Sequence, residues 1–204
     1  MKSIYLAGKV SKNDWRHSLV EGLRDKLLDS IESHGVEVLD SCWAIEGQAL
    51  GKMKASVPMM DNKATYVGPI LIADDHGCYH GDTQHGAIVL DKQMATERNG
   101  ESLQRKGLFK ANSVALESAD IVIAYIESID CFGTLAEIGH AFGRKIPVHI
   151  IYEENFHKEL SAMSIGTDGK SNELWYIEEM SETVTIAREG TLYVIVDDII
   201  TYIK

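Results

Sequence analysis

The sequence predicts an α/β fold: a doubly wound, Rossmann-like or flavodoxin-like parallel sheet of five strands flanked by helices, with a small C-terminal extension. Three observations carry the expectation. Short apolar runs alternate with stretches of helical periodicity, as strand–helix–strand units require. Ile121 to Ile126 is apolar without a break, the mark of a strand covered on both faces. The 204 residues are 45% hydrophobic and 25% charged, ordinary for one globular domain spanning 1–204.

The elements follow in order. Ile4 to Ala7, closed by Gly8, is expected as the first strand. Asn13 or Ser11 then caps a helix that runs to about Ser33, with Val20, Leu23, Leu27 and Ile31 on its inner face and Gly35 as its stop. Val36 to Leu39 is a second strand ending at Asp40. Residues 44–64 have weak periodicity and are expected as loop with some helix. Tyr66 to Ala73 is the third strand, and Asp74 to about Gly86 is rich in turn residues. Lys106 to Ser118 is helical, with Leu108, Ala111, Ala115 and Leu116 on one face. After the buried strand at Ile121, Thr134 to Arg144 is a helix with Leu135, Ile138 and Phe142 inward, and Val148 to Tyr152 is the fifth strand. Near the end, Thr191 to Val196 is expected as a strand and Asp197 as the cap of a last short helix.

Composition narrows the function. A formal charge of −11 argues against a nucleic-acid surface, which needs a stripe of Lys and Arg to neutralise phosphates. Cys42, Cys78 and Cys131 are too few and too scattered for a disulfide framework. No apolar run approaches the length of a membrane span or a signal peptide, so a cytoplasmic protein is expected. A small polar ligand or a protein partner fits this balance best.

Doubly wound sheets bind ligands at the carboxyl ends of their strands. That rule selects the loops at Gly8-Lys9, Asp40 to Trp43, Asp74 to His80, Ser128 to Gly133, and Glu153. The most informative lies between Asp120 and Gly139. Glu137 is expected in the first turn of a helix after a buried strand, where the helix dipole favours a carboxylate. Asp130, seven residues earlier, is placed to orient it or to hold a sugar hydroxyl. The plain alternative is a helix-stabilising Glu137 and a turn residue at Asp130.

Three segments carry a resemblance to the nucleoside 2-deoxyribosyltransferase family. Tyr5-Leu6-Ala7-Gly8 is similar to its opening strand, and Ala119-Asp120-Ile121-Val122-Ile123-Ala124 to its fourth. Gly133-Thr134-Leu135-Ala136-Glu137-Ile138-Gly139-His140-Ala141 resembles its G-T-x-x-E-I-G-x-A helix, followed by Lys145-Ile146-Pro147-Val148. The likeness spans residues 5 to 150. It implies an N-glycosyl transferase that moves a 2-deoxyribosyl group between nucleobases. Glu137 is then the nucleophile on the anomeric carbon, Asp130 the acidic residue before the G-T turn, and Tyr5, Gly133 and Thr134 line the substrate. The spacing from Asp130 to Glu137 is one residue longer than the family's. Where the family carries an aspartate ahead of the strand aspartate, this chain has Asn112, an amide that cannot act as a general acid. Asn172 stands where family members present an Asn-x-Met segment to a neighbouring subunit. The polar, turn-rich segment 166–172 beside Trp175 and Tyr176 reads poorly as a free surface, and a homo-oligomer is expected.

Further substrate contacts remain open. Gly8, Lys9, Trp15 and Arg16 can cradle a phosphate, or form only a solvated helix start. Trp43 can stack a base or pack in the core. His76, Cys78, His80 and His85 crowd ten residues. A zinc site there lacks helical spacing and a second ligand pair. The alternatives are a lid with Asp75 or His76 on the substrate and a plain surface or core loop; a branch of the family carries a similar Asp-His-Gly-Cys-x-His-Gly stretch, which favours the lid. No metal or redox cofactor is expected. The competing functions are hydrolysis of a nucleoside 5′-monophosphate or related N-riboside, and nucleotide sensing without catalysis.

Overall fold

The structure is a computed structural model that describes residues 1–10, 14–23, 26–27, 29–30, 55–70, 78–80, 83–85, 100–163 and 173–202. In chain order the strands and helices are β1 (Lys2–Gly8), a 3-10 turn (Trp15–Ser18), β2 (Val57–Met59), β3 (Ala64–Gly68), β4 (Cys78–His80) and β5 (Thr83–His85). They continue with α1 (Gly100–Glu117), β6 (Ile121–Ile126), α2 (Phe132–Gly143), β7 (Val148–Glu153) and α3 (Glu154–Ala162). The last are α4 (Trp175–Glu178), β8 (Thr183–Ala187) and α5 (Leu192–Tyr202). The chain divides into two compact units, Met1–Lys9 with Ala119–Lys204, and Val10–Ser118.

The first unit holds a parallel run in the order β1, β6, β7, β8. Ile4 lies opposite Ile121, Val122 opposite Val148, and His149 opposite Thr183. Continuous burial along β6 and β7 fits strands covered on both faces. Asp120 fixes the β1–β6 register at its start. Its carboxylate accepts from the Ser3 N–H at 2.7 Å, and its own N–H donates to the Ser3 carbonyl at 2.8 Å. β8 is the exposed margin, with Val184 and Ile186 facing outward.

Here the C-terminal region departs from expectation. The strand is Thr183–Ala187, whereas Leu192–Tyr202 is one continuous helix. The β-branched run at Thr191 to Val196 suggested a strand, but Val196 and Ile200, four apart, are the positions α5 buries. Tertiary packing overrides the local preference. β8 also pairs with β7, so this region belongs to the sheet. Helix α2 starts at Phe132, two residues early, and buries Thr134, Ile138 and Ala141; Phe142 is exposed and Leu135 only half-buried.

The second unit contains the 3-10 turn, which Asp14 caps by accepting from the Arg16 N–H at 3.0 Å. Asn13 and Ser11, the expected caps, lie outside the described residues. Gly22, at φ +63°, breaks the backbone before Leu23 and Leu27 turn their buried side chains inward. β2 and β3 pair antiparallel, Val57 opposite Tyr66, around a turn in which Met60, Asp61 and Asn62 all have positive φ. Sequence reasoning left β2 as loop, because three residues are too few to show a period. β3 stops at Gly68, since Pro69 has no N–H for a ladder. β4 and β5 form a short antiparallel pair. α1 buries Ala111, Ala115 and Leu116.

The fold is thus α/β with mixed strand pairing: four parallel strands in one unit, antiparallel pairs in the other, and helices around them. Among the described residues no helix is long and apolar enough to cross a membrane.

Candidate functional site

The candidate chemistry of the first unit gathers on β1, the residues just after β1 and β6, and α2. Tyr5 is fully buried in β1, and its hydroxyl donates to Glu137 Oε1 at 2.5 Å. That length falls in the range of O–H···O⁻ bonds, which are about twice as strong as neutral ones. Glu137 itself is half-buried. Because α2 begins at Phe132, Glu137 is its sixth residue and lies in the second turn; no acidic residue occupies the first. The expected help from the helix dipole is therefore corrected, since that effect fades beyond the first turn. Tyr5 is a contact that holds the carboxylate.

A second pair joins the same two segments. Lys9, just past β1, donates to Asp130 Oδ2 at 2.6 Å, with 41% and 56% of the side chains exposed. The Lys9 ammonium holds the Asp130 carboxyl below the usual aspartate value. Asp130 precedes Cys131, the N-cap residue of α2, whose buried thiol makes no capping bond and is pushed up by burial.

Gly133 and Thr134 follow in the first turn of α2. Gly133 is exposed, and a Cβ added there would meet nothing within 4 Å, so packing does not demand glycine. Thr134 is 2% exposed, and its Oγ1 has no hydrogen-bond partner among the described residues. Leaving such a hydroxyl unsatisfied costs about 1–3 kcal/mol.

Sequence reasoning missed Tyr125. It lies opposite Gly8 in the register, near the carboxyl end of β6. Burial, then the negative charges of Glu127 and Glu153, push its phenol up to about 12. Its hydroxyl therefore stays protonated at neutral pH. The signal was present in the sequence: a tyrosine interrupts an aliphatic strand just before an acidic residue. Glu153 is already engaged, because its carboxylate caps α3 by accepting from the Phe156 N–H at 2.8 Å.

The remaining expected residues distribute as follows. Arg16 is buried with Asp14, whose two carboxylate oxygens accept from Nη1 at 2.9 and 2.7 Å, and its guanidinium lies 4.8 Å from the Trp15 ring centroid. Asn112 Oδ1 accepts from the Ile70 N–H at 2.7 Å, which ties α1 to the backbone just after Pro69. Trp43, Asp75, His76 and Asn172 lie outside the described residues, as do the side chains of Cys78, His80 and His85. Among the described residues, no group of three or more His, Cys, Asp or Glu is placed to hold a metal ion.

The geometry thus offers a buried phenol on a half-buried carboxylate, an exposed ammonium on an exposed carboxylate, and a hydroxyl without a partner. No family model matches the chain, and no curated protein matches it, so these groups themselves carry the functional argument.

Proposed function

We propose that the chain is an N-glycosyl transferase of the nucleoside 2-deoxyribosyltransferase kind, with Glu137 as its nucleophile. The observation that carries this reading is the 2.5 Å bond from Tyr5, in β1, to Glu137, in α2. A carboxylate gripped at Oε1 has a fixed orientation, and attack on an anomeric carbon requires a fixed line of approach. The reading carries with it the doubly wound, Rossmann-like layout.

In the first step a carboxylate oxygen of Glu137 bonds to C1′ while the C1′–N bond breaks and its electron pair leaves on the base. The transition state resembles an oxocarbenium ion, and the product is a glycosyl ester on Glu137. In the second step a nitrogen of an incoming base attacks C1′, and the ester carboxylate leaves. Asp130, anchored by Lys9, holds sugar hydroxyls, and Thr134 Oγ1 supplies a further polar partner. Exposed aromatic side chains at Phe132, Phe142, Trp175 and Tyr176 support a homo-oligomer.

One observation favours hydrolysis as the second reading. The carbonyl oxygen of Asn112 is committed to the Ile70 backbone, and an amide cannot protonate a leaving base. An enzyme without that acid suits substrates whose base departs readily, with water taking the place of the acceptor base. For a nucleoside 5′-monophosphate, Lys9 is an exposed cation that the phosphate would share with Asp130.

The test is a panel of nucleosides and nucleotides assayed for base release with and without an added free base. Acceptor-dependent exchange supports transfer, and acceptor-independent release supports hydrolysis. A 2′-fluoro arabinosyl nucleoside should leave a sugar adduct on the peptide containing Glu137, because fluorine slows breakdown of the ester. No base release across the panel would reduce the crevice to a binding module.

A further inference from the structure

The opposite ends of the same strands hold a second cavity. It has a volume of about 680 Å³ and is walled by the start of β7, the start of β8 and one face of α5. Its walls include His149, Glu182, Thr183, Asp198, Ile199 and Tyr202. That volume lies within the range of small-molecule sites, which are mostly apolar with a few placed polar groups.

His149 is the informative residue. It is 5% exposed, and its Nδ1 lies 2.8 Å from Thr183 Oγ1. Its Nε2 is buried and has no partner among the described residues. A buried imidazole nitrogen without a partner is costly and calls for one. The charged groups on its walls are acceptors, because Glu182 and Asp198 contribute carboxylates and no Lys or Arg lines the cavity among the described residues. Lys2 acts on His149 as a neighbouring charge.

We propose that this cavity is a binding site, separate from Glu137 and its partners, for a small planar organic cation: an apolar body bearing N–H donors, such as an amidine or aminated heterocycle. The donors meet Asp198 and Glu182, a small rotation of the His149 ring brings Nε2 within their reach, and the apolar body lies along Ile199 and Tyr202. Such a ligand selects the tautomer in which Nδ1–H donates to Thr183 and Nε2 accepts. The assignment does not depend on the proposed glycosyl chemistry.

Benzamidine is a suitable probe, and benzoate, of similar shape and opposite charge, is its control. Titration followed by the His149 ring signals in NMR should show saturable benzamidine binding with Kd below about 1 mM. Benzoate should leave those signals unmoved. His149→Phe should weaken binding at least about fivefold, a difference of roughly 1 kcal/mol. Asp198→Asn, on an exposed helix position, should do the same without risk to the fold. Glu137→Gln should bind benzamidine as the parent chain does, which keeps this result distinct from the catalytic one. The proposal is overturned by no saturable shift up to about 10 mM, by equal binding of benzoate, or by unchanged binding in both cavity variants. A concentration-dependent dimer abolished by Asp198→Asn would also overturn it, since a second copy would then be the occupant.

Discussion

Two ion pairs begin within seven residues of each other in the chain, and they live in opposite environments. Lys9 and Asp130 meet at 2.6 Å with about half of each side chain exposed, whereas Arg16 and Asp14 meet at 2.7 Å with none. Burying two charges is expensive, and the interior pair offsets that expense by using its groups several times. Asp14 accepts from two positions on Arg16, the guanidinium and the backbone N–H, while caging the first turn. The exposed pair is screened by water and contributes little to folding. Its ammonium and carboxylate remain within reach of a solute. Charge that is enclosed builds architecture; charge that a ligand can reach is available for function.

Under the transferase reading, the largest effect expected is on catalysis. Glu137→Gln should lower kcat by about a thousandfold or more, roughly 4 kcal/mol of barrier, with an unchanged circular dichroism spectrum. Retention of more than about a tenth of the parent rate would remove Glu137 as nucleophile. The enclosed pair comes next. Arg16→Met should cost about 3–5 kcal/mol in urea unfolding, because it leaves the Asp14 carboxylate buried without its cation. Pairing it with Asp14→Leu should restore much of that loss. A single-variant loss below about 1 kcal/mol would mean that the pair is not the structural device its burial suggests.

A smaller effect separates pH from mutation. Burial, the main cause, lowers the His149 imidazole below its ordinary value of 6.5, with Glu182 opposing and Lys2 assisting. Asp198 also faces the same cavity. Between the lowered value and 6.5 the unfolded chain binds a proton that the folded chain refuses. Stability from this group is therefore complete above about pH 6.5 and declines as pH falls through that window. Urea midpoints measured from pH 8 to 5 should fall, and His149→Gln should flatten the slope. A slope identical in the variant would assign it to other groups.

How much of this was legible beforehand depends on what each region asks of the sequence. β1, β6 and β7 announced themselves, because a strand buried on both faces must be apolar throughout. Glu137 and Asp130 stood out through their place after such a strand. The length of α2 did not. Phe132 and Gly133 looked like loop residues, and the two-residue error moved Glu137 out of the first turn and replaced the helix dipole with Tyr5 as its partner. That partner lies 132 residues away, a contact no local pattern encodes. α5 was misread because β-branched residues on a half-exposed helix carry a strand's composition, and only the sheet beneath decides which form wins. Arg16 looked like a phosphate ligand because sequence shows a charge without showing that Asp14, two residues before, encloses it.

The smallest expected effect sharpens the comparison most. Lys9→Met removes the exposed ammonium and keeps a side chain of similar length. If the pair at Asp130 is placed for ligands, the unfolding midpoint should not move, because an exposed pair loses little that water does not replace. The site should still register the change. Lys9 is the foremost cause of the lowered Asp130 value, so that carboxyl should titrate upward toward the ordinary aspartate value of 3.8 when the ammonium is gone. Side-chain carboxyl signals of Asp130 followed by ¹³C NMR through the acid range read this directly. Under the transferase reading kcat/KM for nucleosides should fall by about tenfold, since Asp130 loses its anchor. Under the nucleotide reading the loss should be confined to 5′-phosphorylated substrates and appear chiefly in KM. A drop in the unfolding midpoint as large as that of Arg16→Met, with substrate kinetics untouched, would place Lys9 and Asp130 among the architectural charges instead.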